Sequence, residues 1–88
     1  MYILDTNVIS AVRRPDRAPK VAAWLHEKAE QDLFLSVITL GEIERGIRLQ
    51  EPRDPDFARD LRVWLDRTVL MFSDRLLPFE LLELLAGA

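Results

Sequence analysis

The stretch MYILDTNVIS, residues 1–10, decides the fold that this sequence predicts. Its apolar run Met1–Leu4 ends at Asp5, and an unbroken apolar run is typical of a strand buried on both faces of a parallel sheet. Thr6 and Asn7 favour a helix start, and the apolar residues after them predict a short first helix. A strand that leads directly into a helix indicates an α/β fold.

The alternation of strand and helix continues along the chain. Pro19 fits the first position of a second helix, which we expect to end near Gln31. The apolar, β-branched segment Leu33–Ile38 predicts the second strand. Thr39 then has the spacing of a helix-capping residue, and the helix that it opens runs to about Arg48.

The last third of the chain predicts two more helices and one strand. Asp54 is a clear helix start, and apolar residues from Phe57 to Thr68 recur on one helical face. Leu76–Phe79 predicts a short third strand, placed at an edge or ending there because Pro78 cannot donate a hydrogen bond. Glu80–Leu85 resembles the beginning of a helix. Strands separated by helices indicate a parallel sheet with flanking helices.

Composition limits the class of protein. The chain has 88 residues and no cysteine, so we expect residues 1–88 to form a single domain without disulfides or thiolate metal sites. A net charge of −3 and a pI of about 5.1 argue against bulk electrostatic binding of nucleic acid. No apolar run approaches the ~20 residues that span a bilayer, and no signal peptide is evident. We therefore expect a cytoplasmic protein with no membrane partner.

Positive charge is concentrated in one segment. Arg13, Arg14, Arg17 and Lys20 form a basic stretch that only Asp16 interrupts. The ordinary interpretation is a solvated loop. The alternative is a rim that contacts the phosphates of a nucleic acid.

Two carboxylates are candidates for a shared site. Asp5 ends the first strand, and Glu42 lies in the first turn of the helix after the second strand. If the strands are neighbours in a parallel sheet, both acids face the crevice where ligands gather. Converging carboxylates need a cation, and Mg²⁺ or Mn²⁺ suits their oxygens. The alternatives are structural: Asp5 caps the first helix, and Glu42 completes a capping box with Thr39.

Three segments resemble one family. YILDTNVIS (residues 2–10) resembles the opening strand and acidic motif of PIN-domain proteins, and LSVITLGEI (35–43) with Gly46 resembles their second motif. RLLPF (75–79) is similar to their third-strand signature, with Glu80 where an aspartate is usual. The matches are collinear over nearly the whole chain. Within the family, the chain looks most like the VapC/FitB-type toxins of VapBC toxin–antitoxin pairs.

The resemblance implies a function. Such toxins are Mg²⁺- or Mn²⁺-dependent endoribonucleases that hydrolyse RNA phosphodiester bonds, are inhibited by a cognate antitoxin and usually dimerise. It assigns Asp5 and Glu42 as catalytic metal ligands, with Thr6 and Asn7 as supporting polar groups. Arg13, Arg14 and Arg17 then become candidates for an RNA-backbone rim.

The chain also departs from the family pattern. The family's later strands and its third and fourth acids have no counterpart here, and Glu80 and Glu83 follow the far edge strand. We expect a PIN-like sheet truncated to about three strands, with Tyr2–Leu4 as an exposed apolar edge that favours self-association. Two acids hold Mg²⁺ more weakly than four, so weak or absent cleavage is expected. The alternative function is an inactive PIN remnant that binds antitoxin or dimerises without cleaving RNA.

Overall fold

The computed structural model describes residues 1–87, in which three short strands alternate with helices. The strands are β1 (Tyr2–Leu4), β2 (Leu33–Ser36) and β3 (Leu76–Leu77). The helices are α1 (Thr6–Arg13), α2 (Pro19–His26), α3 (Val37–Gln50), α4 (Pro55–Met71) and α5 (Phe79–Gly87), with a 3₁₀ turn at Glu30–Asp32.

The three strands form one parallel sheet in the order β1-β2-β3. Ile3 pairs with Phe34 on one side of β2, and Leu35 pairs with Leu76 on the other. The prediction of an α/β fold with a three-stranded parallel sheet is confirmed. Since β1 and β2 are parallel neighbours, their carboxyl ends lie at the same edge of the sheet, where ligands gather in such folds.

Two apolar clusters hold the helices against the sheet. The first joins β1 and β2 to α1 and to the end of α4, through Leu4, Ile9, Leu35 and Phe72. The second packs α3 against α4 through Ile47, Ala58 and Leu65. Each large apolar side chain buried in this way stabilises the fold by about 1.5–3 kcal/mol.

The start of α3 corrects a prediction. β2 ends at Ser36 and α3 begins at Val37, because the Ser36 hydroxyl caps the helix by accepting from the Thr39 backbone N–H at 3.1 Å. The predicted capping box of Thr39 with Glu42 is therefore wrong. Val37 and Ile38 favour a strand by propensity, whereas the Ser36 cap contributes about 1 kcal/mol to the helix and the packing of α3 on α4 adds to it.

Other helix boundaries are mostly as predicted. Pro19 opens α2, and Asp54 caps α4 by accepting from the Phe57 N–H at 3.1 Å. The predicted end of α2 near Gln31 is wrong, because the helix stops at His26. A tighter 3₁₀ turn follows and brings the chain back to Leu33, beside β1.

One edge of the sheet exposes apolar side chains. In the described part of the chain β1 has a strand neighbour on one side only. Tyr2 and Ile3 are 38% and 45% exposed, as expected, whereas Leu4 is buried against the expectation, because it packs into the first apolar cluster. Trp24 meets Tyr2 edge-to-face at 5.0 Å between ring centroids. None of the helices within residues 1–87 is long and apolar enough to cross a membrane.

Candidate functional site

Asp5 has a structural role at the end of β1. Its Oδ1 accepts a hydrogen bond from the Val8 backbone N–H at 2.9 Å, which makes it the N-cap of α1. The helix-capping interpretation of Asp5 is thus confirmed. A carboxylate offers about four lone-pair sites, so this single bond leaves the exposed group able to bind a cation as well.

Glu42 is tied to the residue that follows Asp5. The Thr6 hydroxyl donates to Glu42 Oε2 at 2.6 Å, a bond between the first turn of α1 and the second turn of α3. Since Ser36 caps α3, Glu42 has no capping duty and its carboxylate is exposed. The structure therefore brings Thr6 and Glu42 into direct contact, with Asp5 adjacent in the chain.

Buried hydroxyls fix this arrangement. Ser36 Oγ donates to Thr39 Oγ1, which donates to the Leu4 carbonyl oxygen, both at 3.2 Å. Ser36 and Thr39 are almost fully buried. This relay fastens the start of α3 to the end of β1, the element that leads into Asp5. Sequence reasoning does not predict this relay. Its signal is a serine three residues before a threonine, and that spacing is informative only if α3 is known to begin directly after Ser36.

The donor chemistry of Asp5 and Glu42 suits a hard divalent cation. Mg²⁺ is commonly held by one or two carboxylates and completes its shell with water and substrate phosphate. Asp5 and Glu42 are both exposed carboxylates at this edge of the sheet, and the Thr6 hydroxyl bonded to Glu42 is a neutral oxygen. Within residues 1–87 there is no group of three or more acidic, histidine or cysteine side chains that could form a fuller cage.

A cavity of about 520 Å³ lies between α1, α3 and α4, and Glu42 is on its wall. The predicted supporting groups and the predicted basic rim both lie on its wall, as Thr6, Asn7, Glu42, Arg13, Arg14 and Arg17. Asp5 is not among the lining residues, and neither is Lys20. The arginines therefore share one concave surface with Glu42.

The arginines on this wall have different environments. The Arg13 guanidinium lies over the Phe57 ring, 5.2 Å from its centroid, and is half-buried. Arg14 Nε lies 3.8 Å from Asp16 Oδ1, a partly exposed pair that screening weakens. Arg17 is exposed. Phe57 looks like a core residue in the helical pattern, so its position opposite Arg13 is not visible from periodicity.

An ion pair joins α3 to α4, two of the three helices that surround the cavity. Arg62 Nη1 on α4 donates to Glu44 Oε2 on α3, and Arg48 Nε lies 3.6 Å from Glu44 Oε1. The hydrogen bond from Arg62, aided by the charges of Arg62 and Arg48, lowers the pKa of Glu44 below its ordinary value of 4.5, and partial desolvation opposes this.

Comparisons with known proteins agree on one family. The PIN domain model matches residues 2–86. The chain is 49% identical over 69 residues to "Ribonuclease VapC14" of Mycobacterium tuberculosis, covering 78% of this chain and 67% of that protein. It is 37% identical over 81 residues to "Toxin FitB" of Neisseria gonorrhoeae, covering 91% and 57%.

A third relative gives the same picture. "Plasmid stability protein StbB" of Pseudomonas syringae pv. tomato is 37% identical over 82 residues, covering 92% of this chain and 58% of that protein. The chain therefore spans less than three fifths of FitB and StbB. No solved structure matches the chain significantly. The family model and relatives of 37–49% identity together establish that this chain belongs to the PIN domain family.

Proposed function

We propose that this chain forms the nuclease portion of a VapC-type toxin, a Mg²⁺- or Mn²⁺-dependent endoribonuclease that hydrolyses RNA phosphodiester bonds. One observation supports it above the others: the Thr6–Glu42 bond at the shared carboxyl edge of β1 and β2, directly after Asp5. The names of the relatives, a ribonuclease and a toxin, agree with this chemistry.

Each side chain at the edge has a role in the proposal. Asp5 and Glu42 hold the divalent cation, which supplies Lewis-acid polarisation of the phosphodiester and neutralises developing charge. Thr6 orients the Glu42 carboxylate through its hydroxyl. The Asn7 amide can donate to a phosphate or to the scissile region.

The basic wall positions the substrate. Arg13, Arg14 and Arg17 lie on the cavity that Glu42 also lines, so guanidiniums are available for phosphates flanking the cleaved bond. Such contacts are electrostatic and independent of base sequence. An RNA substrate places the proposed activity in the cytoplasm.

Two protein partners belong to the proposal. The toxin relatives support a cognate antitoxin that inhibits the enzyme. In the part of the chain that the structure describes, β1 is an edge strand with exposed Tyr2 and Ile3, which supports a homo-oligomer.

A second function is favoured by the small number of acids at the site. Residues 1–87 hold no cluster of three metal-binding side chains, and two carboxylates attract Mg²⁺ weakly. In this alternative the chain is an inactive PIN remnant that binds antitoxin or dimerises without cleaving RNA.

The deciding experiment is cleavage of mixed tRNA and rRNA by the purified chain with Mg²⁺, with Mn²⁺ and with EDTA. Asp5→Asn and Glu42→Gln are tested beside the unaltered chain, since asparagine preserves the helix cap of α1. Glu83→Gln, at an exposed acid on α5, is the matched control. Metal-dependent cleavage that both site variants lose supports the nuclease; equal cleavage in all four proteins, or none in any, favours the remnant.

A further inference from the structure

We propose that the cavity between α1, α3 and α4 binds one unpaired nucleobase of the RNA, stacked against the Arg13–Phe57 pair. The inference rests on the proposed function, because it takes RNA as the ligand. It adds a base-binding subsite and names Phe57 and Arg13 as the residues that form it.

Arg13 and Phe57 already form a cation–π contact. The Arg13 guanidinium lies over the Phe57 ring at 5.2 Å from its centroid, across the gap between α1 and α4. The Phe57 backbone N–H is held by Asp54 at 3.1 Å, which fixes the first turn of α4 from which the ring projects. Aromatic rings and guanidinium planes are the surfaces on which proteins stack unpaired RNA bases.

The cavity has the size and lining of a base-binding site. Its volume of about 520 Å³ falls within the ~300–1,000 Å³ usual for ligand pockets. Trp64 and Leu61 contribute apolar surface, and the half-buried Gln50 adds an amide. An amide both donates and accepts hydrogen bonds, which suits the polar edge of a base.

The cavity also reaches Glu42, one of the two candidate metal ligands. Thr6 and Glu42 line it together with Phe57. A nucleotide whose base lies on Phe57 therefore occupies a cavity that Glu42 also lines. This shared lining distinguishes a substrate subsite from an unrelated pocket.

The charge of the wall favours RNA over a peptide. The chain has a net charge of −3, yet three arginines line this one cavity. A concentration of guanidiniums attracts a polyanion, and an aromatic ring beside a guanidinium suits a planar base better than an aliphatic side chain.

Two glycines of α3 provide a matched pair of variants. An added Cβ would meet nothing within 4 Å at either Gly41 or Gly46. Gly46 lines the cavity, whereas Gly41 does not. Gly46→Leu therefore introduces a side chain at the cavity wall, and Gly41→Leu makes the same change in the same helix away from it.

The experiment measures binding without cleavage. The full chain carries Glu42→Gln and is kept in EDTA, so that the RNA is not cleaved. It also carries Trp24→Phe, which leaves Trp64 on the cavity wall as the one remaining tryptophan of the two. The probes are a dye-labelled single-stranded RNA heptamer and a heptamer of abasic ribose phosphates. Anisotropy gives the affinity, and Trp64 emission reports occupancy of the cavity.

We expect the RNA heptamer to bind more tightly than the abasic one and to change Trp64 emission. Phe57→Leu should weaken RNA binding about tenfold, as loss of one stacked base predicts, and leave abasic binding unchanged. Phe57→Tyr should bind as the parent does. Gly46→Leu should weaken RNA binding and Gly41→Leu should not, which keeps the test valid if Phe57→Leu fails to fold.

Equal affinity for the two heptamers, or equal losses at Gly41 and Gly46, would overturn the inference and leave the cavity to a protein partner. Cleavage assays on the unaltered chain separate the two proposals. Base-dependent binding without any cleavage refutes the nuclease alone, and cleavage with base-independent binding refutes the subsite alone.

Discussion

Thr6 donates its hydroxyl to Glu42 Oε2 at 2.6 Å, and this bond joins the starts of two helices that follow neighbouring parallel strands. Ser36 is the N-cap of α3, so the Glu42 carboxylate is not needed to cap that helix. Its hydrogen bond to Thr6 instead fixes its orientation at the edge of the sheet. An exposed glutamate held at the carboxyl edge of a parallel sheet is placed where such folds bind ligands.

The bond predicts the effect of Thr6→Val. Valine keeps the side-chain shape and removes the donor, so Glu42 loses its orientation. A partner that orients a metal ligand is commonly worth 10–100-fold in metal affinity or activity, and we expect at least a tenfold loss in Mn²⁺ affinity by titration calorimetry. Thr68→Val removes a hydroxyl that donates to the Trp64 carbonyl at 2.8 Å, and it should leave Mn²⁺ affinity unchanged. Equal losses in the two variants would contradict an orienting role.

The buried hydroxyl relay predicts a loss of stability. Ser36→Ala removes the cap of α3 and should lower the free energy of unfolding by about 1–2 kcal/mol. Thr39→Val leaves the Leu4 carbonyl without its donor at 3.2 Å, which should cost about 1–3 kcal/mol. Urea unfolding measures both. Ser10→Ala, at an exposed serine, should change stability by less than about 0.5 kcal/mol, and a similar loss there would show that the relay has no special role.

Local signals predict some elements and fail at others for identifiable reasons. Asp5 and Asp54 are followed by good first-turn residues, so their helices could be placed from sequence. The start of α3 could not, because the β-branched Val37 and Ile38 favour a strand and only the Ser36 contact decides between the two. Local pattern measures propensity, whereas this boundary is set by a hydrogen bond.

Part of the candidate site could likewise be predicted from sequence, and part of it depends on how the helices pack. Strand order alone predicts that Asp5 and Glu42 lie at one edge. The position of Phe57 under Arg13 depends on how α4 packs against α1 and α3, a long-range contact that helical periodicity does not encode. The ordinary interpretation of the basic stretch from sequence is a solvated loop, and the place of Arg13, Arg14 and Arg17 on the cavity wall likewise follows only from packing.

The Glu44–Arg62 pair predicts a pH dependence. The hydrogen bond from Arg62 lowers the pKa of Glu44 below 4.5, so the pair stabilises the folded chain above pH 4.5 and the contribution is lost as pH falls through the lower folded value. Arg62→Gln should therefore make the urea midpoint fall less steeply between pH 6 and pH 3. Arg59→Gln removes an exposed partner of Asp56 at 3.5 Å and should leave the slope unchanged. A slope in Arg62→Gln equal to that of the unaltered chain would contradict the linkage.

The contacts of the Arg75 side chain predict a large loss of stability when the side chain is removed. Its guanidinium donates to the carbonyls of Glu30 and Met71, the latter at 2.9 Å, and lies over the Phe72 ring, 4.7 Å from its centroid. It thereby joins the start of β3 to α4 and to the 3₁₀ turn before β2. Charged donors contribute about 1.5–3 kcal/mol to such bonds, and Arg75→Ala should cost at least that much in urea unfolding. Arg67→Ala, at an exposed position of α4, should cost less than about 0.5 kcal/mol.

The free edge of β1 predicts self-association. Ile3 is 45% exposed on β1, which within residues 1–87 is an edge strand, and edges of this kind pair with other chains unless a charge blocks them. We expect the unaltered chain to sediment as a dimer or larger species at micromolar concentration and Ile3→Lys to shift it towards monomer. Val63→Lys makes the same substitution at a helical residue that is 44% exposed, and it should not dissociate the assembly. A sharp monomer for the unaltered chain would refute association, whereas equal dissociation by both variants would mean that exposed apolar area, not the strand edge, drives it.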